Sequence, residues 1–154
     1  MLAALFSVAL ACPPHLDRRA DAAGVTFSWR VQDDHLVGRV SAQSDGWVVV
    51  GFNDAPALDG SRLVFLAVDD HDGIVAEQHV ARPPHHFLVD VIASDQVAGG
   101  RSGSAVWASF VMPLDHDALL SLRSGQTIWL TLAWSHSLDL FHHSARREMV
   151  AVTL

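Results

Sequence analysis

From Val25 onward the apolar residues recur at every second position, or in short β-branched and aromatic runs, between turn signals about ten residues apart. Val25, Phe27, Trp29 and Val31 alternate with Thr26, Ser28 and Arg30, which predicts a strand with one buried face. A second strand is expected over residues 36–42. The run Trp47 to Phe52 is apolar on both faces and follows the turn pair Asp45 and Gly46, so it reads as a central strand covered on each side. Further strands are expected at 62–68, 74–79, 87–93, 105–112, 127–134 and 149–154. Within 127–134 one face carries Ile128, Leu130, Leu132 and Trp134 and the other Thr127, Trp129, Thr131 and Ala133, a strand buried on one side and partly covered on the other. Residues 115–122 are expected to form one or two helical turns, with Asp115 accepting from the first free N–H groups and Leu119, Leu120 and Leu122 docking on the sheets. The glycine-rich stretch 97–104 lies between strand patterns and reads as a flexible hairpin loop. The periodicity predicts an all-β sandwich or barrel.

Length and composition narrow this to one domain. A chain of 154 residues, half of them apolar and 18% charged, can bury roughly 70% of its unfolded surface around a single core. The net charge is −7, and the ten basic residues are all arginine, scattered except for Arg18 with Arg19 and Arg146 with Arg147. No basic stripe of the kind that neutralises phosphates is built, which argues against nucleic acid as a partner.

The opening run from Met1 to Ala11 is too short to cross a bilayer as a mature helix and suits the apolar core of a signal peptide. The chain's one cysteine, Cys12, ends this run after small residues, the arrangement in which a bacterial lipoprotein receives its lipid. Residues 1–12 are therefore expected to be a signal peptide with a lipidated Cys12, residues 13–24 a polar tether, and 25–154 the folded domain. An ordinary export signal, or a buried N-terminal strand with a free thiol, are the competing accounts. The first two place the domain outside the cytoplasm, and the lipidated form at a membrane.

Three stretches in order carry a family resemblance. Gly46, Trp47, Gly51 and Phe52, followed by a loop with Asp59, Gly60 and Ser61, form the first. Phe110, Pro113 and Leu114 leading to Leu130 through Trp134 form the second, and His143 with Arg147 before the last strand the third. Together they resemble the DOMON domain, the module found beside dopamine β-monooxygenase and as the cytochrome domain of cellobiose dehydrogenase. The resemblance implies an immunoglobulin-like β-sandwich of about nine to eleven antiparallel strands that holds haem b or a sugar-like ligand between its sheets or at one end. Haem-binding members ligate iron with a methionine in the loop after the Gly-Trp strand and a histidine near the last strand. Here Leu58 stands where that methionine is expected, and Met112 replaces an arginine before the Pro-Leu pair.

Ten histidines invite a metal reading, since neutral imidazole suits haem iron, zinc or copper. His143, four residues before Arg147, and its neighbour His142 are the first candidates, with His79, His85 and His86 behind them. In extended backbone adjacent side chains point to opposite faces, so at most one member of each pair, His85 with His86 and His142 with His143, is expected at a site. His79 also reads as a surface histidine at a strand end, and His85 and His86 as solvated loop residues after Pro83 and Pro84. His35, His71 and His116 lie in acidic turns and read as surface residues. Trp129, on the more polar face of its strand, is a candidate to stack on a sugar or a porphyrin edge. Asp69 to Gly73 has the acidic look of a calcium loop, but Val68 and His79 stand where an EF-hand needs carboxylates, and a hairpin turn is the better account.

No nucleophile elbow, zinc-protease signature or Cys-His pair is present, and the carboxylate pairs at 33–34 and 69–70 lie on turns. The expected function is a non-catalytic, extracytoplasmic binding module whose site draws on His143, His142, Arg147, Trp129 and Leu58. The alternative is an electron-transfer module with b-type haem on a histidine, working with a redox partner protein. The loop 55–59 separates the two, because it either supplies an iron ligand or does not.

Overall fold

The computed structural model describes residues 15–154, so Cys12 and the signal reading lie outside the described residues. The strands are β1 (Arg18–Ala22), β2 (Val25–Gln32), β3 (His35–Gln43), β4 (Trp47–Asn53), β5 (Arg62–Val68), β6 (Ile74–Arg82), β7 (His85–Val91), β8 (Val97–Ser102), β9 (Ala105–Pro113), β10 (Thr127–Trp134) and β11 (Arg146–Thr153). They form two antiparallel sheets, ordered β1-β2-β3-β9-β8 and β11-β10-β4-β5-β6-β7, which pack face to face as a single β-sandwich. The eleven strands fall within the expected range.

Side-chain alternation fixes which face of each strand is buried. Phe27 stacks on Trp29 at 5.1 Å and on Phe110 at 6.2 Å, and meets Phe52 of the opposite sheet edge-on at 6.1 Å. Each large side chain fully buried here contributes about 2 to 3 kcal/mol of transfer free energy. Val48, Val50 and Phe52 of β4 face this core. Its other side is buried too, because Trp47 and Val49 join Leu63, Phe65, Ala67, Ala81, Ala133 and Leu140 in a second apolar cluster outside the sandwich. The expectation that β4 is covered on each side is met.

Three sequence expectations are corrected. Residues 18–22, assigned to a tether, form β1, which pairs with β2 through a two-residue turn at Ala23 and Gly24. Both turn residues are left-handed, with φ of 56° and 76°, the geometry that matches strand twist in short hairpins. Ala23 is held there by its carbonyl accepting from Trp134 Nε1 at 2.9 Å and its amide donating to Glu148. Residues 97–102, assigned to a flexible loop, form the edge strand β8 along β9. Its glycines are packing devices: a Cβ on Gly99 would lie 2.8 Å from the Trp107 carbonyl, and one on Gly100 3.2 Å from the Trp107 ring nitrogen. Residues 115–122 form turns and no helix; Leu122 N donates to the Leu114 carbonyl at 2.9 Å, closing the segment on itself while Leu119 and Leu122 are still buried.

The acidic stretch 69–73 is the β5–β6 turn. One Asp69 oxygen accepts from the His71 and Gly73 amides at 2.8 Å each, and these bonds hold its carboxyl below the usual carboxylate range.

Candidate functional site

Strand β10 does not turn directly into β11. After Trp134 the chain crosses the outer face of the six-stranded sheet as a strap, residues 135–145, before β11 begins. Its seat is made by the Gly-Trp pair ahead of β4. Trp47 N donates to the Ser137 carbonyl at 3.0 Å, Ser135 N donates to the Trp47 carbonyl at 2.9 Å, and the Trp47 indole N–H donates to the Asp139 carbonyl at 3.0 Å. Ser44 Oγ donates to the Ser135 carbonyl at 2.6 Å, and Ser135 Oγ to the His143 carbonyl at 3.0 Å. Gly46 is required beneath it, since a Cβ there would fall 2.3–2.4 Å from backbone atoms of Ser135 and Ser137. Leu140, on the strap, is buried in the outer cluster.

Beside the strap stands the loop between β4 and β5. Asn53, 4% exposed, ends β4 and donates through Nδ2 to the Ala57 carbonyl at 2.6 Å, the Asp59 carbonyl at 3.0 Å and Ser61 Oγ at 3.1 Å. This one amide gathers the loop and presents Leu58 over the sheet. The loop is tied to β6 as well, because Gly60 N donates to the Ala81 carbonyl at 2.9 Å and Ala81 N returns a bond of 2.9 Å to the Ser61 carbonyl.

Between strap, loop and the β6–β7 turn lies a cleft of about 370 Å³, a volume within the range of small-molecule sites. Its floor is Trp47, Val49, Leu63, Phe65, Thr131 and Ala133. Gly51 lies under the floor, where a Cβ would sit 2.8 Å from Leu63 and 3.0 Å from Thr131; its absence lets those two side chains close over β4. The walls hold Leu58, His85, His86, His142, His143 and Arg147. The two motif segments at 46–61 and 141–147 therefore meet on one surface, although about ninety residues separate them in the chain.

Placement departs from the sequence expectations in five ways. The cleft lies outside the sandwich, on the outer face of one sheet, because the space between the sheets is filled by aromatic and aliphatic side chains. Both histidines of each pair line it. His142 and His143 follow a turn in which His142 N donates to the Asp139 carbonyl at 3.0 Å, so the extended-backbone rule does not reach them, whereas His85 and His86 open β7 after the Pro83–Pro84 turn and both line the cleft although they are adjacent in a strand. His79, expected at the surface, is completely buried. Trp129 stands half-buried on the same outer face, beside Asn53 and Ala151 in register, but outside the lining of the cleft. His116, read as a surface residue, is partly covered and sits 3.4 Å from Asp90.

His79 connects the cleft to a buried polar chain that the alternating pattern of β6 did not disclose. Glu77 Oε2 lies 2.8 Å from His79 Nε2, and His79 Nδ1 lies 2.9 Å from His86 Nδ1. The His86 ring is sandwiched between Phe65 below, at 4.7 Å, and Phe141 of the strap above, at 5.0 Å and 5° from parallel. Burial, then the neighbouring His79, push the His86 imidazole below its ordinary value, while the Leu140 carbonyl and Glu77 act the other way. Because the folded state disfavours protonated His86, its contribution to stability is complete above the ordinary imidazole pKa and is lost as pH falls through the lowered one. The urea midpoint of the native chain is expected to drop between pH 7.5 and 5 more steeply than that of His86→Gln. Parallel curves would show that His86 is not the titrating group.

Among the described residues no three His, Cys, Asp or Glu side chains converge as a metal site, and no helix is long and apolar enough to cross a membrane. No protein-family model matches the chain, and no curated protein matches it.

Proposed function

We propose that this protein is a non-catalytic ligand-binding module of the DOMON type, exported and held at a membrane through Cys12, with the cleft beneath the strap as its binding site. What supports the reading is the convergence of Leu58, His142, His143 and Arg147 on one apolar floor. Leu58 and the segment from His142 to Arg147 belong to separate motifs of the sequence. A mostly apolar cleft with a few polar groups at its rim is the general form of a small-molecule site. Filling it with Leu58→Trp is expected to abolish uptake of whatever it holds; binding that survives this substitution would place the site elsewhere.

A second reading, a b-type haem module, draws on the same residues. The donor set fits in part: the floor is apolar and aromatic, His142 or His143 supplies an imidazole, and Arg147 suits a propionate. Leu58 offers no second ligand, and His86 is engaged with His79. Bound haem would supply a one-electron carrier for a partner protein. Absorption spectra of the purified chain mixed with haem, oxidised and reduced, separate the two. A sharp Soret band lost in His143→Ala and narrowed into a six-coordinate spectrum by Leu58→Met would establish the carrier. A flat visible spectrum would exclude it and leave the binding module.

A further inference from the structure

The cleft's ionisable groups are all basic. The chain has 17 acidic residues and ten histidines, yet the lining of the cleft contains no Asp or Glu while including four of the histidines and Arg147. Asn and Gln are missing from it too; the only other polar side chains are Thr131 and Ser144. In an acidic protein this segregation has a chemical meaning. Sugar hydroxyls are held above all by carboxylates, which accept, and carboxamides, which accept and donate, and this cleft provides neither.

Arg147 gives the segregation a fixed charge. It is exposed at the second position of β11 and makes no side-chain hydrogen bond or ion pair among the described residues, whereas Arg146 beside it lies 3.9 Å from Glu148. Its neighbour across the ladder is Ala133, a residue of the floor, so the guanidinium stands where the apolar surface ends. Across the cleft the accessible apolar lining is Leu58, Pro83, Pro84 and Phe141, over a floor in which Trp47 and Phe65 meet edge-on at 5.1 Å. An unpaired guanidinium fork at the rim of an apolar cleft matches a carboxylate carried on an apolar body.

We propose that the ligand is an anionic amphiphile, an organic acid whose hydrophobic part lies against the apolar lining of the cleft and whose carboxylate is received by Arg147 at the rim. This rests on the cleft being the binding site, and it excludes a neutral sugar as the natural occupant.

The test uses 2-naphthoate and its neutral counterpart 2-naphthamide, titrated calorimetrically into the purified full-length chain. The acid is expected to bind about tenfold more tightly than the amide, with a preference that shrinks as salt rises. Arg147→Gln should remove the preference, leaving both probes at the amide's affinity. Arg146→Gln makes the same change in net charge away from the cleft and should leave it intact. Equal binding of both probes, or a preference that survives Arg147→Gln, overturns the anion proposal while the cleft remains a binding site. If neither probe binds, the proposal and the assignment of the cleft both fall.

Discussion

Replacing Gly46 with alanine is expected to destabilise the protein by about 3 kcal/mol and to open the ligand cleft at the same time. The added Cβ would lie 2.3–2.4 Å from the Ser135 and Ser137 backbone, where no rotamer can relieve the contact, so strap or strand must shift. A shift stretches the bonds from the Trp47 amide to Ser137 and from the Trp47 indole to Asp139, both 3.0 Å. Leu140 then leaves the outer cluster, and with it goes the roof over Trp47 and Phe65. Gly103→Ala is the control, since its φ is 61° and nothing lies within 4 Å of a Cβ there; it should cost only the left-handed penalty of about 1 to 2 kcal/mol and spare binding. Urea unfolding and probe titration of both variants check this. A Gly46→Ala protein within about 0.5 kcal/mol of the native one would mean that the strap does not rest on this glycine.

That prediction also marks where the sequence stops being readable. Nine strands show in the alternation through their aliphatic and aromatic residues, most of which bury a face, although β7 leaves Phe87, Leu88 and Val91 exposed. Strand β1 hides because its outward positions, Arg19 and Asp21, are charged and pair with each other at 2.7 Å, while its inward contribution is two alanines, Ala20 and Ala22. Strand β8 hides because the packing of Trp107 demands glycine where strand propensity would favour a larger residue. The cleft residues could be named from motif order. Their meeting could not, since it depends on a strap that leaves β10, is bonded to Trp47 of β4 and reaches His86 of β7 through Phe141 before β11 begins, a path no local pattern specifies. Asn53 and His79 were legible as residue types only; each acts through partners that tertiary structure brings to it. Asn53 follows the Gly-Phe pair directly, and an amide at the end of a buried strand and the start of a polar loop was the available signal.

Arg62→Met is expected to cost about 3 kcal/mol while leaving ligand affinity within twofold of the native value. Arg62 is fully buried between the sheets, one residue from Leu63 on the cleft floor but pointing the opposite way. Its guanidinium donates to Gln78 Oε1 at 2.9 Å, to the Leu114 carbonyl at 2.9 Å, to the Pro113 carbonyl at 2.8 Å and, at 3.4 Å, to the Leu120 carbonyl. Burial pulls its pKa down to about 10, with Asp90 and Asp115 opposing, so the side chain is still a cation at neutral pH, in a place that disfavours charge. Methionine removes that cost and fills similar space. It also takes the donor from the Pro113 carbonyl and from Gln78 Oε1, each worth about 1 to 3 kcal/mol when left unpaired in the interior, while the Leu114 carbonyl keeps the Leu122 amide; this second effect is the larger. Arg62→Lys should recover only part of the loss, because an ammonium cannot fork to Gln78 and two carbonyls at once. Denaturant unfolding with parallel probe titration measures both quantities. A loss below about 1 kcal/mol would show that the 113–122 segment is held by Leu114, Leu119 and Leu122 alone. A large fall in affinity would show that the inner and outer faces of β5 are coupled, and the separation of core from cleft across that strand would have to be abandoned.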